Sequence, residues 1–163
     1  MIVVNPGPLR TEIDHDHGRG APGIGFERDE AVFRLARTNL SIMGLGIDLI
    51  QGSYDHGLRT LGDVGTGLLI VFVAPPWGDA LSEESGLDLR RTAPPVTEVI
   101  DATTGVLGQQ KLLFALQVYQ TTEPGSLAEV TARFPWSVMK TYDINAAGQN
   151  HGLLLATRGW AVS

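Results

Sequence analysis

Cysteine is absent from the 163 residues, which excludes disulfide frameworks, thiolate zinc sites and cysteine nucleophiles. Lysine is scarce: Lys111 and Lys140 stand alone, and arginine supplies the rest of the 12 basic residues. Against 18 acidic residues the net charge is −6, so no broad basic footprint for nucleic acid is present. Any RNA contact must therefore be local. Long apolar runs are also missing. The longest is Leu68-Leu69-Ile70-Val71-Phe72-Val73-Ala74, far short of the ~18 residues of a membrane-spanning helix. Met1 to Gly7 has neither a basic start nor an extended apolar stretch, so no secretory signal is read there. The expectation is a cytoplasmic protein with no membrane partner. Hydrophobic residues reach 43%, enough for a packed core in a single domain.

What is present alternates strand with helix. Met1 to Val4 reads as a short strand, stopped by Asn5-Pro6-Gly7-Pro8. Gly18, Gly20, Pro22 and Gly23 make the following stretch a loop, and Ile24 to Glu27 a second strand. Asp29 to Met43 is the clearest helix. Val32, Leu35, Ala36, Asn39, Leu40 and Met43 recur at steps of three and four, with Asp29 as N-cap and Gly44 as stop. Ile47 to Ile50 reads as a strand, Tyr54 to Leu61 as a short helix weakened by Gly57, and Leu68 to Val73 as a strand apolar on both faces. A long polar loop runs from Pro75 to about Pro95. Helices over 96–107 and 125–134 flank a strand over 111–119, and strands over 136–144 and 151–157 close the chain as an antiparallel pair. The fold class expected is α/β: a Rossmann-like, mainly parallel sheet with helices on both faces and a C-terminal antiparallel hairpin. In such sheets ligands bind beyond the carboxyl ends of the strands.

The sharpest motif sits at such an end: Ala74-Pro75-Pro76-Trp77-Gly78 directly follows the 68–73 strand. Two consecutive prolines fix the backbone, so the carbonyls of Ala74 and Pro75 are presented rigidly as hydrogen-bond acceptors. Trp77 offers a flat face for a base, a stack worth ~1–3 kcal/mol in nucleic-acid sites. The combination suits a planar amine held for attack on a methyl donor. Other candidates read as background. Asp14-His15-Asp16-His17 carries metal-type ligands but fits a polar loop better, and no metal is expected. Asp63-Val64-Gly65-Thr66-Gly67 resembles a cofactor glycine loop, yet no strand precedes it, and it reads as a turn. Asn150-His151-Gly152 opens the last strand and could reach a site at one sheet edge, but hairpin ends are polar in any case. Arg90, Arg91 and Arg158 read as paired or solvated cations.

In these segments the sequence resembles the class I S-adenosylmethionine-dependent methyltransferases, and most closely the trimethylguanosine synthase (RNA cap guanine-N2 methyltransferase) family. The resemblance rests on Val71 to Gly78, on Gly86-Leu87-Asp88-Leu89-Arg90, on Gly25 to Asp29 with Leu35 to Asn39, and on Gly44 to Gly52. It spans roughly residues 24 to 107 of one methyltransferase-like domain over 1–163. It implies S-adenosylmethionine as cofactor, with Glu27 on the ribose hydroxyls and Asn5, Gly7, Ser53 and Asp55 completing the cofactor site. It implies Ala74, Pro75, Pro76 and Trp77 as catalytic residues, and Trp77, Gly78 and Asp88 as substrate contacts. The substrate implied is a guanine-containing nucleotide or RNA, or a small planar amine.

Three departures from the family pattern set an alternative. The glycine-rich cofactor turn is reduced to Asn5-Pro6-Gly7-Pro8, where Pro8 removes an N–H. Ala74 stands where amine methyltransferases place Asn, Asp or Ser. Ser53 follows Gly52 where an acid is usual, with Asp55 displaced. The alternative is a non-catalytic module of the same fold that has lost cofactor binding, or a domain lacking its N-terminal part; an oligomer is compatible with either.

Overall fold

The computed structural model describes residues 2–4, 23–61, 67–143 and 150–160. Its main sheet has seven strands: β1 (Ile2–Val4), β2 (Gly23–Glu27), β3 (Ile47–Gln51), β4 (Leu68–Val73), β7 (Lys111–Tyr119), β8 (Trp136–Asp143) and β9 (Asn150–Arg158). They lie in the order β3-β2-β1-β4-β7-β9-β8. A two-stranded hairpin, β5 (Leu81–Ser82) with β6 (Gly86–Leu87), stands apart. The helices are α1 (Glu30–Met43), α2 (Tyr54–Thr60), α3 (Val96–Leu107) and α4 (Pro124–Thr131).

β2, β3, β4, β7 and β8 run in one direction, as the sequence leads one to expect, and the antiparallel β8–β9 hairpin closes the sheet. β1 departs from the expectation. It fills the slot between β2 and β4 but runs antiparallel to both, with Val4 opposite Gly23 and Ile70. Three apolar residues pair equally well in either sense, so nothing in Ile2-Val3-Val4 encodes direction.

Right-handed crossovers put α1 on one face of the sheet and α2, α3 and α4 on the other. The second face holds the core. Leu69, Val71, Val73, Leu112, Phe114, Leu116, Val118, Leu154 and Ala156 point into it and are buried, joined by Val96, Val99 and Ile100 of α3. The alternate residues Leu68, Ile70, Phe72, Leu113 and Leu155 are only half-buried. A strand apolar on both faces thus shows one fully covered side.

α1 begins and ends where its local signals say. Asp29 accepts from the Val32 N–H at 2.9 Å, and Gly44 takes the left-handed conformation at φ 64°. Its burial is not what the apolar stripe leads one to expect. No residue of α1 is buried, and Leu35 and Met43 are each 67% exposed. The side toward the sheet is Phe33, Ala36 and Leu40. Gly57 in α2 is explained by packing rather than by weakness. A Cβ there would lie 2.0 Å from the Phe26 ring, so only glycine lets α2 settle on β2.

The 75–95 segment is more structured than its polar composition indicates. Leu87 and Leu89 are buried in the core, and Leu87 N–H donates to the Thr121 carbonyl at 2.9 Å. Thr92 donates its hydroxyl to the carbonyls of Leu89 and Pro94, which fixes the approach to α3.

Candidate active site

The carboxyl ends of β2, β3 and β4 open into a cleft of about 760 Å³. Glu27 ends β2 and lines it. Gly52, Ser53 and Asp55 follow β3, and Ala74, Pro75 and Pro76 follow β4. The topology therefore brings together six residues singled out in the sequence: Glu27, Ser53, Asp55, Ala74, Pro75 and Pro76. The far wall is Thr92 to Pro95 with Glu98, Val99 and Ala102 of α3.

Each polar group is locally held. Glu27 Oε1 accepts from the Asp29 N–H at 2.8 Å, and the Glu27 carbonyl accepts from Gly52 N–H at 2.9 Å, tying the β2 and β3 ends together. Ser53 hydrogen-bonds the Asp55 carboxylate, and this, more than the nearby backbone N–H groups and Arg59, holds that carboxyl below its ordinary range. Tyr54, between them, has its phenol pushed up, first by burial and then by Asp55 and Glu98. Among the described residues Arg28 is the one cation lining the cleft, against Glu27, Asp55 and Glu98. The described lining is therefore acidic, which favours a cationic ligand.

Three other expected site residues do not line this cleft. Trp77 turns away from it toward the β7 and β9 ends. Its ring centroid lies 5.7 Å from that of Tyr119, edge-on at 69°, and 5.1 Å from that of His151, tilted by 35°. Its indole N–H is buried and, among the described residues, meets no acceptor. Gly78 opens a short 3-10 turn at φ 40°. Asp88 is engaged elsewhere: Arg90 donates to both of its oxygens at 2.9 Å and to Glu123 at 2.8 Å. Glu123 in turn caps α4 through the Gly125 and Ser126 N–H groups. Asn5, Gly7, the His15-His17 segment and the Asp63–Gly67 motif fall wholly or largely outside the described residues. Among the described residues no three His, Asp or Glu side chains are grouped to hold a metal, and no helix is long and apolar enough to cross a membrane.

The Asp88–Arg90–Glu123 chain has a pH consequence. Arg90 holds the Asp88 carboxyl low, and the α4 N–H groups hold that of Glu123 low. A carboxylate depressed in the fold adds stability above its unfolded pKa and loses it as pH falls through its folded one. The urea midpoint is expected to be level near neutrality and to drop below about pH 4. Arg90→Ala should make that drop shallower. A midpoint unchanged down to about pH 3 would show that the network adds nothing.

Sequence reasoning missed Glu98, Thr92 and Pro94. A usable signal existed for Glu98: it lies in the first turn of α3, and the first turn of a helix that follows a parallel strand returns to the ligand edge. His151 was reachable from Asn150-His151-Gly152, but its neighbour Tyr119 follows only from the β7–β9 register.

No protein-family model and no curated protein matches this sequence. Among solved structures the chain is similar to an uncharacterized protein (LMOf2365_1472) from Listeria monocytogenes serotype 4b, at 17% identity and TM-score 0.51, over 86% of this chain and 53% of that one. It is also similar to a "putative O-methyltransferase" from Klebsiella pneumoniae, at 13% identity and TM-score 0.49, over 83% and 61%. A third is the N-terminal domain of human METTL16, at 14% identity and TM-score 0.49, over 82% and 51%. At these identities the likeness to the Listeria protein concerns the fold alone, and the chain spans about half of that protein's length.

Proposed function

We propose that the chain is a methyltransferase that uses S-adenosylmethionine to methylate an exocyclic amine of a guanine-like base, free or in RNA. The observation that carries this reading is the convergence of Glu27, Ser53 with Asp55, and Ala74 to Pro76 on one acidic cleft at three strand ends. In this reading Glu27 accepts from a vicinal diol, and Ser53 and Asp55 meet an adenine edge. Val73, Pro94, Pro95 and Val99 give apolar walls for a flat ring. This lining supports the adenosine half of the cofactor. When bound, it supplies a methyl group on a sulfonium centre, and the surplus of carboxylates suits that charge.

The chain's own contribution is positioning. The rigid Ala74 and Pro75 carbonyls accept from the substrate amine and orient its lone pair. Side-chain acid or base work is not required of Ala74. Trp77 stacks on the base from the β7 side, with Gly78 and Asp88 shaping the loop behind it.

A second reading is favoured by the direction of β1. A strand parallel to β2 and β4 would deliver its following turn to the cleft, whereas Val4 lies at the opposite edge, against Gly23 and Ile70. Among the described residues the amino-acid half of the cofactor has no glycine turn leading into a helix. That favours a non-catalytic module that has lost cofactor binding.

Calorimetric titration of S-adenosylmethionine and S-adenosylhomocysteine separates the two. The enzyme reading expects micromolar binding, weakened at least about tenfold in Glu27→Ala. No heat at millimolar ligand overturns it and leaves the non-catalytic module.

A further inference from the structure

We infer that His151 is a positioning residue for Trp77, restraining the tilt of the indole on which a planar base would stack. The inference rests on the base-methylation reading of this edge and adds a residue to it.

The backbone around Trp77 is fixed independently of any ring contact. Ala80 N–H donates to the Trp77 carbonyl at 2.7 Å, and Asp88 N–H to the Ala80 carbonyl at 2.8 Å. The freedom that remains is rotation of the side chain. A hydrogen bond to the indole N–H would ordinarily stop that rotation, but this N–H has no acceptor among the described residues. Among the described residues, what orients the ring is therefore shape. Two rings supply it. Tyr119 meets the indole at 69°, close to T-shaped, and His151 packs beside it, 5.1 Å away and tilted by 35°. Tyr119 and His151 also meet each other at 6.4 Å and 76°, so the three rings brace one another.

The support is itself rigid. His151 stands directly opposite Tyr119 in the β7–β9 register and opposite Tyr142 in β8. The next residue, Gly152, is packed so closely that a Cβ would lie 2.8 Å from the Lys140 carbonyl oxygen. Pairing with β7 on one side and β8 on the other holds the strand that carries the histidine in register. A flat ring at position 151 restrains the tilt of the indole, whereas an aliphatic side chain fills space without setting a plane.

The test uses the full chain and guanosine 5′-monophosphate as probe, titrated calorimetrically into the unmutated chain, Trp77→Ala, His151→Ala and His151→Phe. S-adenosylhomocysteine affinity and the near-ultraviolet dichroism of tryptophan are followed in parallel. His151→Ala is expected to weaken the nucleotide at least about tenfold, and to diminish the tryptophan dichroism, with cofactor affinity kept. His151→Phe should restore both to within about threefold of the unmutated chain. Equal nucleotide affinity in His151→Ala and the unmutated chain overturns the inference. So does a His151→Phe variant as weak as His151→Ala, since a plain packing or polar role would then explain the site. If the nucleotide does not distinguish the unmutated chain from Trp77→Ala, the base-stacking reading itself fails. That result is visible before any His151 variant is compared.

Discussion

Phe114→Ala is expected to lower the unfolding free energy by about 3–5 kcal/mol. Phe114 is fully buried at the middle of β7, the strand that joins the parallel half of the sheet to the terminal hairpin. Its cross-strand neighbours are Val71 and Ala156, both fully buried. Its ring meets that of Phe134 at 5.1 Å and 57°, which helps fasten the loop after α4 to the sheet. Val71 and Ala156 sit on regular strands of the same sheet and cannot collapse into the space. The cavity term is therefore expected at the upper part of its range. Domains of this size hold only about 5–15 kcal/mol in total, so the variant should show a much lower urea midpoint at an unchanged slope. A loss below about 1 kcal/mol would mean that α4 repacks freely, and that the covered face of the sheet is less well fixed than its burial indicates.

That covered face was legible in the sequence; which side of each element it lay on was not. Local signals survived intact. Asp29 and Gly44 bound α1 because capping depends on the neighbouring few residues alone. The β8–β9 hairpin followed from two strand-like runs on either side of the short stretch Asn145-Ala146-Ala147-Gly148. α1 shows the limit. Its apolar residues form overlapping stripes, and the one chosen by spacing is split: Ala36 and Leu40 lie toward the sheet with Phe33, whereas Val32, Leu35 and Met43 are exposed. Periodicity states that a helix has an apolar side, while contact with β2 and β3 decides which residues it uses. The direction of β1 is a stronger case, because strand polarity is set by where the chain comes from and goes to, not by the three residues themselves.

The candidate site was readable for a topological reason. Glu27, Ser53, Asp55 and Ala74 to Pro76 all follow strands that run the same way, so parallel topology alone gathers them at one edge. Asp88 was not readable in this manner. Its loop position is compatible with a ligand contact, but Arg90, two residues away, takes both carboxylate oxygens. Nor was the setting of Trp77 readable. Its ring partners lie more than 40 and 70 positions along the chain and reach it only through the β4–β7–β9 register.

Trp77→Ala is the variant in which the proposed chemistry and the observed packing make different demands. As a base-stacking group, Trp77 contributes ~1–3 kcal/mol, so its loss should weaken guanosine 5′-monophosphate by roughly five- to 150-fold. Cofactor affinity should stay within about twofold, because Trp77 does not line the cleft formed by Glu27, Ser53 and Asp55. As a packing group, Trp77 covers Tyr119 and the core beside it, and its removal should also lower stability. The two effects separate in Trp77→Phe, which keeps a flat ring without the indole N–H. Since that N–H has no acceptor among the described residues, its removal forfeits no hydrogen bond there. Trp77→Phe should therefore retain most of the nucleotide affinity and most of the stability. Parallel loss of nucleotide and cofactor in Trp77→Ala, at a temperature where circular dichroism shows the variant folded, would remove Trp77 from the substrate site. The Pro75-Pro76 turn would then be a rigid wall of the cleft, with the base bound elsewhere along it.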